Sequence, residues 1–149
     1  MLLTVSCALA AMTALRSEPL GAWAVLGTAV FAAGFAIEAV ADGQKRRFRA
    51  DPANRGRFIA SGLWAWSRHP NYLGEITLWA GIAVIAFPVL RGWQLATLIS
   101  PVFVYVLLTR ISGIPLLESR ARKRWGEDPA YRAYRERTPA LMLRPPRSA

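Results

Sequence analysis

The sequence predicts an all-α fold: an integral-membrane helical bundle of about four membrane segments, with a cytoplasmic helical tail at the C-terminus. Three observations carry that reading. The chain has 149 residues and is 54% hydrophobic, yet it bears a formal charge of +10, a combination uncommon among soluble domains of this size. It contains long apolar windows nearly free of charge, close to the roughly 20 residues that one bilayer crossing takes. Its Lys and Arg residues gather in the connections on one side of those windows.

The first segment, Leu2 to Leu15, is apolar but 14 residues long, and it lacks the positive n-region of a secretory signal. It reads as a short or truncated helix rather than a signal. Leu20 to Ala41 holds 22 residues with Glu38 as its only charge. A connection of about 30 residues follows, and its centre, Asp51 to Gly56, has turn composition. Tyr72 to Leu90 holds 19 residues with Glu75 alone charged, and a tight outer turn at Pro88 to Gly92 leads to Trp93 to Thr109, 17 residues with no charge. In the tail, Asp128 followed by Pro129 is an N-cap and N1 pair that opens a helix running toward Arg137 before Pro139 stops it. Tyr131 and Tyr134 then share one face of that helix. The whole reads as a single membrane domain, with no internal repeat and no room for a second domain.

Of the 19 Lys and Arg residues, only Arg16 and Arg91 lie in the connections on the other side. Lys45, Arg46, Arg47, Arg49, Arg55, Arg57 and Arg68 fill the long connection, and Arg110 and the residues from Arg120 to Arg147 follow the last span. The positive-inside rule makes both regions cytoplasmic. Topology and affinity for anionic headgroups account for the basic charge, so no nucleic-acid partner is expected. With one Cys (Cys7) and one His (His69), a disulfide is excluded within the chain and no zinc or iron site is expected.

The polar residues fall into clusters at the cytoplasmic ends of the spans. Glu38 and Asp42 are four apart, and a helical continuation brings Lys45 and Arg46 onto the same stripe. That stripe is either an interfacial ion-pair set or part of a site, since an ionisable group within a membrane segment is costly. The stretch SRHPNYLGE, Ser67 to Glu75, concentrates polar chemistry between two apolar runs. Pro70 suits the first helical position and biases His69 away from helix, which puts Asn71, Tyr72 and Glu75 in the first turns. A helix start beside Arg68 and His69 suits an anionic phosphate or carboxylate. The same residues equally suit an interface belt, with Arg68 snorkelling and Trp64, Trp66 and Tyr72 at headgroup depth. After the last span, Glu118 is placed either to pair with Arg122 on one helix face or to join a common pocket. Short bundled helices leave their inner ends within about 10 Å of one another.

The segment GLWAWSRHPNYLGEITLWAG (Gly62 to Gly81), with ADGQKRRF (Ala41 to Phe48), SGIPLLE (Ser112 to Glu118) and YRAYRERTPALM (Tyr131 to Met142), resembles the bacterial DUF1295 branch of the steroid 5-alpha-reductase C-terminal family. The chain is more distantly similar to sterol C14-reductases and isoprenylcysteine carboxyl methyltransferases. The resemblance implies an NADPH-binding reductase of a carbon–carbon double bond or, in its methyltransferase members, an enzyme that binds S-adenosylmethionine at the corresponding cytoplasmic site. It implies cofactor contacts at Asp42, Arg57, Asn71 and Glu75. Arg68, His69 and Tyr72 fit the same turn, and Glu118, Tyr131 and Tyr134 match the tail that closes over the nucleotide. Arg46, Arg57 and Arg68 could neutralise the diphosphate and 2′-phosphate of NADPH, whereas a sulfonium cofactor demands less cationic surface.

Family members of this kind carry further membrane helices ahead of the matched portion, and in the steroid reductases these supply the proton-donating Tyr and Glu. The expectation is therefore a chain that matches the C-terminal part of the family, lacks its N-terminal helices, and takes them from a partner if it is active. The implied substrate is a hydrophobic lipid, steroid or isoprenoid-like molecule, the implied location the bacterial inner membrane, and no catalytic residue is assigned. A membrane methyltransferase and a non-catalytic membrane subunit are the alternatives.

Overall fold

The computed structural model describes residues 21–145, so the expectations for Leu2 to Leu15 and for Cys7 lie outside the described residues. Among the described residues all regular structure is helical, with no strand. The α-helices are α1 (Ala22–Ala50), α2 (Pro70–Ala86), α3 (Ile99–Val106), α4 (Ile114–Trp125) and α5 (Pro129–Arg137). Short 3-10 turns at Pro52–Asn54, Gly62–Ala65, Phe87–Val89 and Gly92–Leu98, and a π turn at Leu107–Ile111, complete the path. Three stretches, Ala22–Ala50, Pro70–Val89 and Gly92–Trp125, are long and apolar enough to cross a membrane. Among the described residues they cover nearly all of the second and third segments expected from sequence and the whole of the fourth.

The helix ends have local causes. α1 continues well past Ala41, because Asp42 to Arg49 contains no strong breaker besides Gly43. It stops where Pro52 drives Asp51 into an extended conformation (φ −78°, ψ 118°), and the Asp51 carboxylate caps the next turn by accepting from the Ala53 N–H at 2.9 Å. α2 opens on Pro70, as the fixed φ of proline at a first helical position requires. The third span is not one regular helix. Pro101 is the third residue of α3, just after the 3-10 turn Gly92–Leu98 from which that helix continues. The chain then widens into the π turn and breaks at Gly113, where an added Cβ would lie 2.8 Å from the Leu108 Cα. In α5, Asp128 accepts from the Ala130 N–H at 2.8 Å and Pro129 takes the first position, as the sequence indicated.

The described chain forms two compact units. One combines residues 21–35 with Gly74–Leu107. Here α1 and α2 approach with glycine against backbone: a Cβ on Gly27 would lie 2.8 Å from the Gly81 oxygen, and one on Gly81 would lie 2.5 Å from the Phe31 nitrogen. Gly34 meets the Gly74 oxygen in the same way. Small residues permit this approach where lipid supplies no hydrophobic drive between helices. Trp23 and Phe87 close one end at 5.5 Å, and Ala86, Leu90 and Leu98 pack together nearby. The other unit combines Ala36–Leu73 with the described residues from Leu108 onward, and it carries the candidate site.

Candidate functional site

The long connection has little regular structure, so side chains pin its backbone. Gly62 adopts φ +59°, a conformation glycine takes without strain, and a Cβ there would strike the Gln44 side chain at 2.6 Å. Gln44 instead accepts from the Leu63 N–H at 2.9 Å. The Trp64 indole N–H donates to the Ala41 carbonyl at 3.0 Å, and the Lys45 ammonium lies 4.8 Å from the centre of the Trp64 ring. From the opposite side the Tyr134 hydroxyl donates to the Trp64 carbonyl at 2.7 Å.

The chain after α5 fixes the turn that follows. The Arg68 N–H donates to the Pro139 carbonyl at 2.9 Å, and the Arg144 N–H donates to the Trp66 carbonyl at 3.0 Å. Between them Ser67 is fully buried; its hydroxyl donates to the Leu141 carbonyl at 2.9 Å and accepts from the His69 N–H at 3.2 Å. Six residues of the tail thus hold the backbone from which Arg68 and His69 project.

Glu118, on α4, is where the charges meet. One carboxylate oxygen accepts from Arg68 Nη1 at 2.8 Å and lies 3.5 Å from Arg135 Nε; the other lies 3.0 Å from His69 Nε2. The imidazole is buried and stacks on the Tyr72 ring at 5.7 Å, nearly parallel at 13°. Glu118 therefore turns to these three partners rather than to Arg122 one turn along its own helix, so the surface ion pair open at the sequence level does not form. The reason is shielding: Glu118 faces inward with its side chain 13% exposed, whereas Arg122 is exposed. The buried Nε atoms of Arg68 and Arg135 have no hydrogen-bond partner among the described residues.

Beside this cluster lies a cavity of about 170 Å³. Among the described residues Lys45, Arg49, Arg57 and Arg68 reach it, together with His69 and a single carboxylate, Glu118. Its wall is largely aromatic: Phe58 stands 5.2 Å from Tyr131, 5.4 Å from Tyr134 and 6.1 Å from Trp125. The Trp125 indole N–H anchors the wall by donating to the Gly56 carbonyl at 2.6 Å. Burial pushes the Tyr134 phenol well above the usual tyrosine range. Burial, and then the Glu118 carboxylate, raise that of Tyr131. Both hydroxyls stay neutral hydrogen-bonding groups at physiological pH.

Of the residues singled out from sequence, Arg57, Arg68, His69, Glu118, Tyr131 and Tyr134 meet at this cavity. Asp42, Arg46, Asn71 and Tyr72 belong to the same unit but do not line it, and Glu75 belongs to the other unit. On the α1 stripe it is Lys45 that reaches the cavity, while Arg46 is exposed. Sequence reading missed Arg49, Phe58, Trp64, Trp125 and Arg135 as site residues. The inner face of α4 carried a signal in Leu117, Glu118, Ala121 and Trp125, which recur at helical spacing. Phe58 and Trp64 lie in irregular chain, where no period marks them.

The chain matches the family model DUF1295, described as a protein of unknown function, over residues 1–138. It is similar to an uncharacterised protein of Schizosaccharomyces pombe, with 29% identity over 148 residues, covering 85% of this chain and 41% of that protein. It is also similar to a probable O-methyltransferase of Ustilaginoidea virens, 32% identical over 71 residues (47% of this chain, 25% of the relative). A Delta(14)-sterol reductase of Neurospora crassa is 35% identical over 72 residues (39% of this chain, 15% of the relative). The chain thus spans less than half the length of these curated relatives. No solved structure gives a significant match.

Proposed function

The chain belongs to the DUF1295 family, and from that premise we propose that it is an integral-membrane, NADPH-dependent reductase of a carbon–carbon double bond in a lipid, steroid or isoprenoid-like substrate. The observation that carries this reading is the charge of the cavity: Lys45, Arg49, Arg57 and Arg68 against one carboxylate that Arg68 already neutralises. The diphosphate and 2′-phosphate of NADPH bring several negative charges to such a surface, whereas the sulfonium of S-adenosylmethionine brings a positive one. Arg68, which lines the cavity and has a buried Nε with no hydrogen-bond partner among the described residues, adds a further donor on the same side. At about 170 Å³ the cavity is smaller than the roughly 300–1,000 Å³ of typical ligand pockets, so it fits one anionic stretch of the cofactor with an adjoining ring against Phe58 or Trp125. NADPH, when bound, supplies the hydride; the residues of the chain bind its charge and shield it from water.

By the positive-inside rule the basic connection and tail face the cytoplasm of a bacterial inner membrane. The similarity to a probable O-methyltransferase supports a second reading, in which the same cavity takes S-adenosylmethionine for methyl transfer. Calorimetry on the folded full chain in detergent separates the readings. NADPH binding, weakened tenfold or more by Arg57→Ala or Arg68→Ala, is expected from the loss of a charge-assisted contact of about 1.5–3 kcal/mol. Binding of S-adenosylmethionine in its place selects the methyltransferase. Binding of neither, with a helical partner co-purifying, selects a non-catalytic subunit.

A further inference from the structure

A second cavity, of about 360 Å³, adjoins the first. Phe48, Arg57 and Phe58 line both, so the two meet at one guanidinium and two rings. Its described lining residues all belong to the unit that carries the candidate site. At that volume it falls within the roughly 300–1,000 Å³ of typical ligand pockets, which the first cavity by itself does not reach.

Its polar chemistry differs from that of its neighbour. Among the described residues four Lys and Arg side chains reach the first cavity, whereas Arg57 alone reaches the second, together with Asn54, Ser61 and Asp128. Each of these three keeps an acceptor for a ligand. The Asn54 amide N–H groups donate to the Phe48 carbonyl at 3.1 Å and the Asp51 carboxylate at 3.5 Å, which leaves the amide oxygen as an acceptor. Asp128 caps α5 by accepting from the Ala130 N–H through one carboxylate oxygen, and its other oxygen stays open to a donor. Ser61 precedes the turn Gly62–Ala65, but its hydroxyl makes no capping bond there.

A wall of acceptors beside two phenyl rings suits an uncharged ring system that brings hydrogen-bond donors, with its anionic end at Arg57. A phosphate belongs on the Arg57 side, since the Asp128 carboxylate repels one. We propose that the second cavity holds the adenosine end of a nucleotide whose phosphates lie in the first, with Asp128, Asn54 and Ser61 accepting from the adenine amine and the ribose hydroxyls. The proposal rests on the reading of the first cavity as a phosphate-binding part of a cofactor site. Adenosine rather than nicotinamide is the occupant because Phe48 and Asn54 lie at the end of α1 and in the turn beyond it. Lys45 and His69 of the first cavity stand nearer the apolar spans along the chain, which is where a hydride must go to meet a hydrophobic substrate.

Calorimetry on the folded full chain in detergent tests this with 5′-ADP, which carries adenosine, inorganic pyrophosphate, which does not, and NADPH. The unsubstituted chain should bind 5′-ADP about tenfold or more tightly than pyrophosphate. Ala130→Leu, which fills the cavity from the first turn of α5, and Asp128→Asn, which keeps a capping side chain, should each weaken 5′-ADP and NADPH about tenfold or more. Neither should change the affinity for pyrophosphate or the melting temperature. Should both fail to fold, Ser61→Leu fills the same cavity from the long connection and takes their place. Equal affinity for 5′-ADP and pyrophosphate, or equal loss of both in the variants, would overturn the proposal. NADPH binding that is indifferent to the variants overturns it while the reductase reading stands. Variant-sensitive binding of 5′-ADP by a chain that does not bind NADPH upholds it while that reading falls.

Discussion

Glu118 shows how far one residue sets the chemistry of its surroundings. Among the described residues it is the one carboxylate that lines the cavity, and it holds Arg68 and His69 at 2.8 and 3.0 Å. Replacing it with Ala leaves those groups close together without a counter-charge, so Glu118→Ala should lose roughly 1–3 kcal/mol and Glu118→Gln, which keeps an acceptor, distinctly less. Thermal unfolding in detergent reads the difference. Tyr134 gives a pH prediction with a definite sign. Its folded pKa is raised by burial, so its contribution to stability is intact below the unfolded value of about 10 and is lost as pH rises above it. The melting temperature should therefore fall above about pH 10, and Tyr134→Phe should flatten that fall. The same substitution should cost about 1 kcal/mol at neutral pH by removing the bond to the Trp64 carbonyl. The sequence showed that Tyr131 and Tyr134 share a helix face, since that follows from spacing; that Phe58 is what they meet did not, because Phe58 lies in irregular chain.

Among the elements, glycine decides how closely α1 and α2 approach. The second, third and fourth apolar windows match helical stretches long enough to cross a membrane, but apolarity alone does not say which face packs. The structure puts Gly27, Gly34, Gly74 and Gly81 at backbone contact, so even Gly81→Ala, whose methyl would lie 2.5 Å from the Phe31 nitrogen, should cost about 1–3 kcal/mol. Gly43 provides the contrast. It lies within α1 with nothing within 4 Å of an added Cβ, and Gly43→Ala should gain about 0.5–1 kcal/mol from helix propensity. Unfolding of both variants in SDS titration would test the pair. One cap was legible without the structure: Asp128 with Pro129 starts α5, because a cap is a contact between near neighbours, whereas Asp51 to Gly56 read only as a turn and the structure shows Asp51 capping the turn that follows α1. The irregular course of the third span was not legible; its π turn and the break at Gly113 appear in the sequence only as a Ser–Gly pair.

For the molecule as a whole, the stretch from Pro139 to Arg144 has a role far larger than its length suggests. It supplies the Pro139 carbonyl to Arg68, the Leu141 carbonyl to Ser67 and the Arg144 N–H to Trp66. A chain ended after Thr138 should lose about 2–4 kcal/mol. Its amides between residues 61 and 70 should exchange faster by hydrogen-exchange mass spectrometry, while those of α2 beyond residue 74 change little. The sequence by itself determined the helical character of the chain, its long apolar spans and the cap of α5, because composition and near-neighbour spacing act locally. Only the tertiary structure decided which cations share a cavity and that Arg68, His69 and Arg135 converge on Glu118. The contacts of Arg68 and His69 with Glu118 join residues some 50 positions apart along the chain, and no local period encodes the path of the irregular backbone that brings them together.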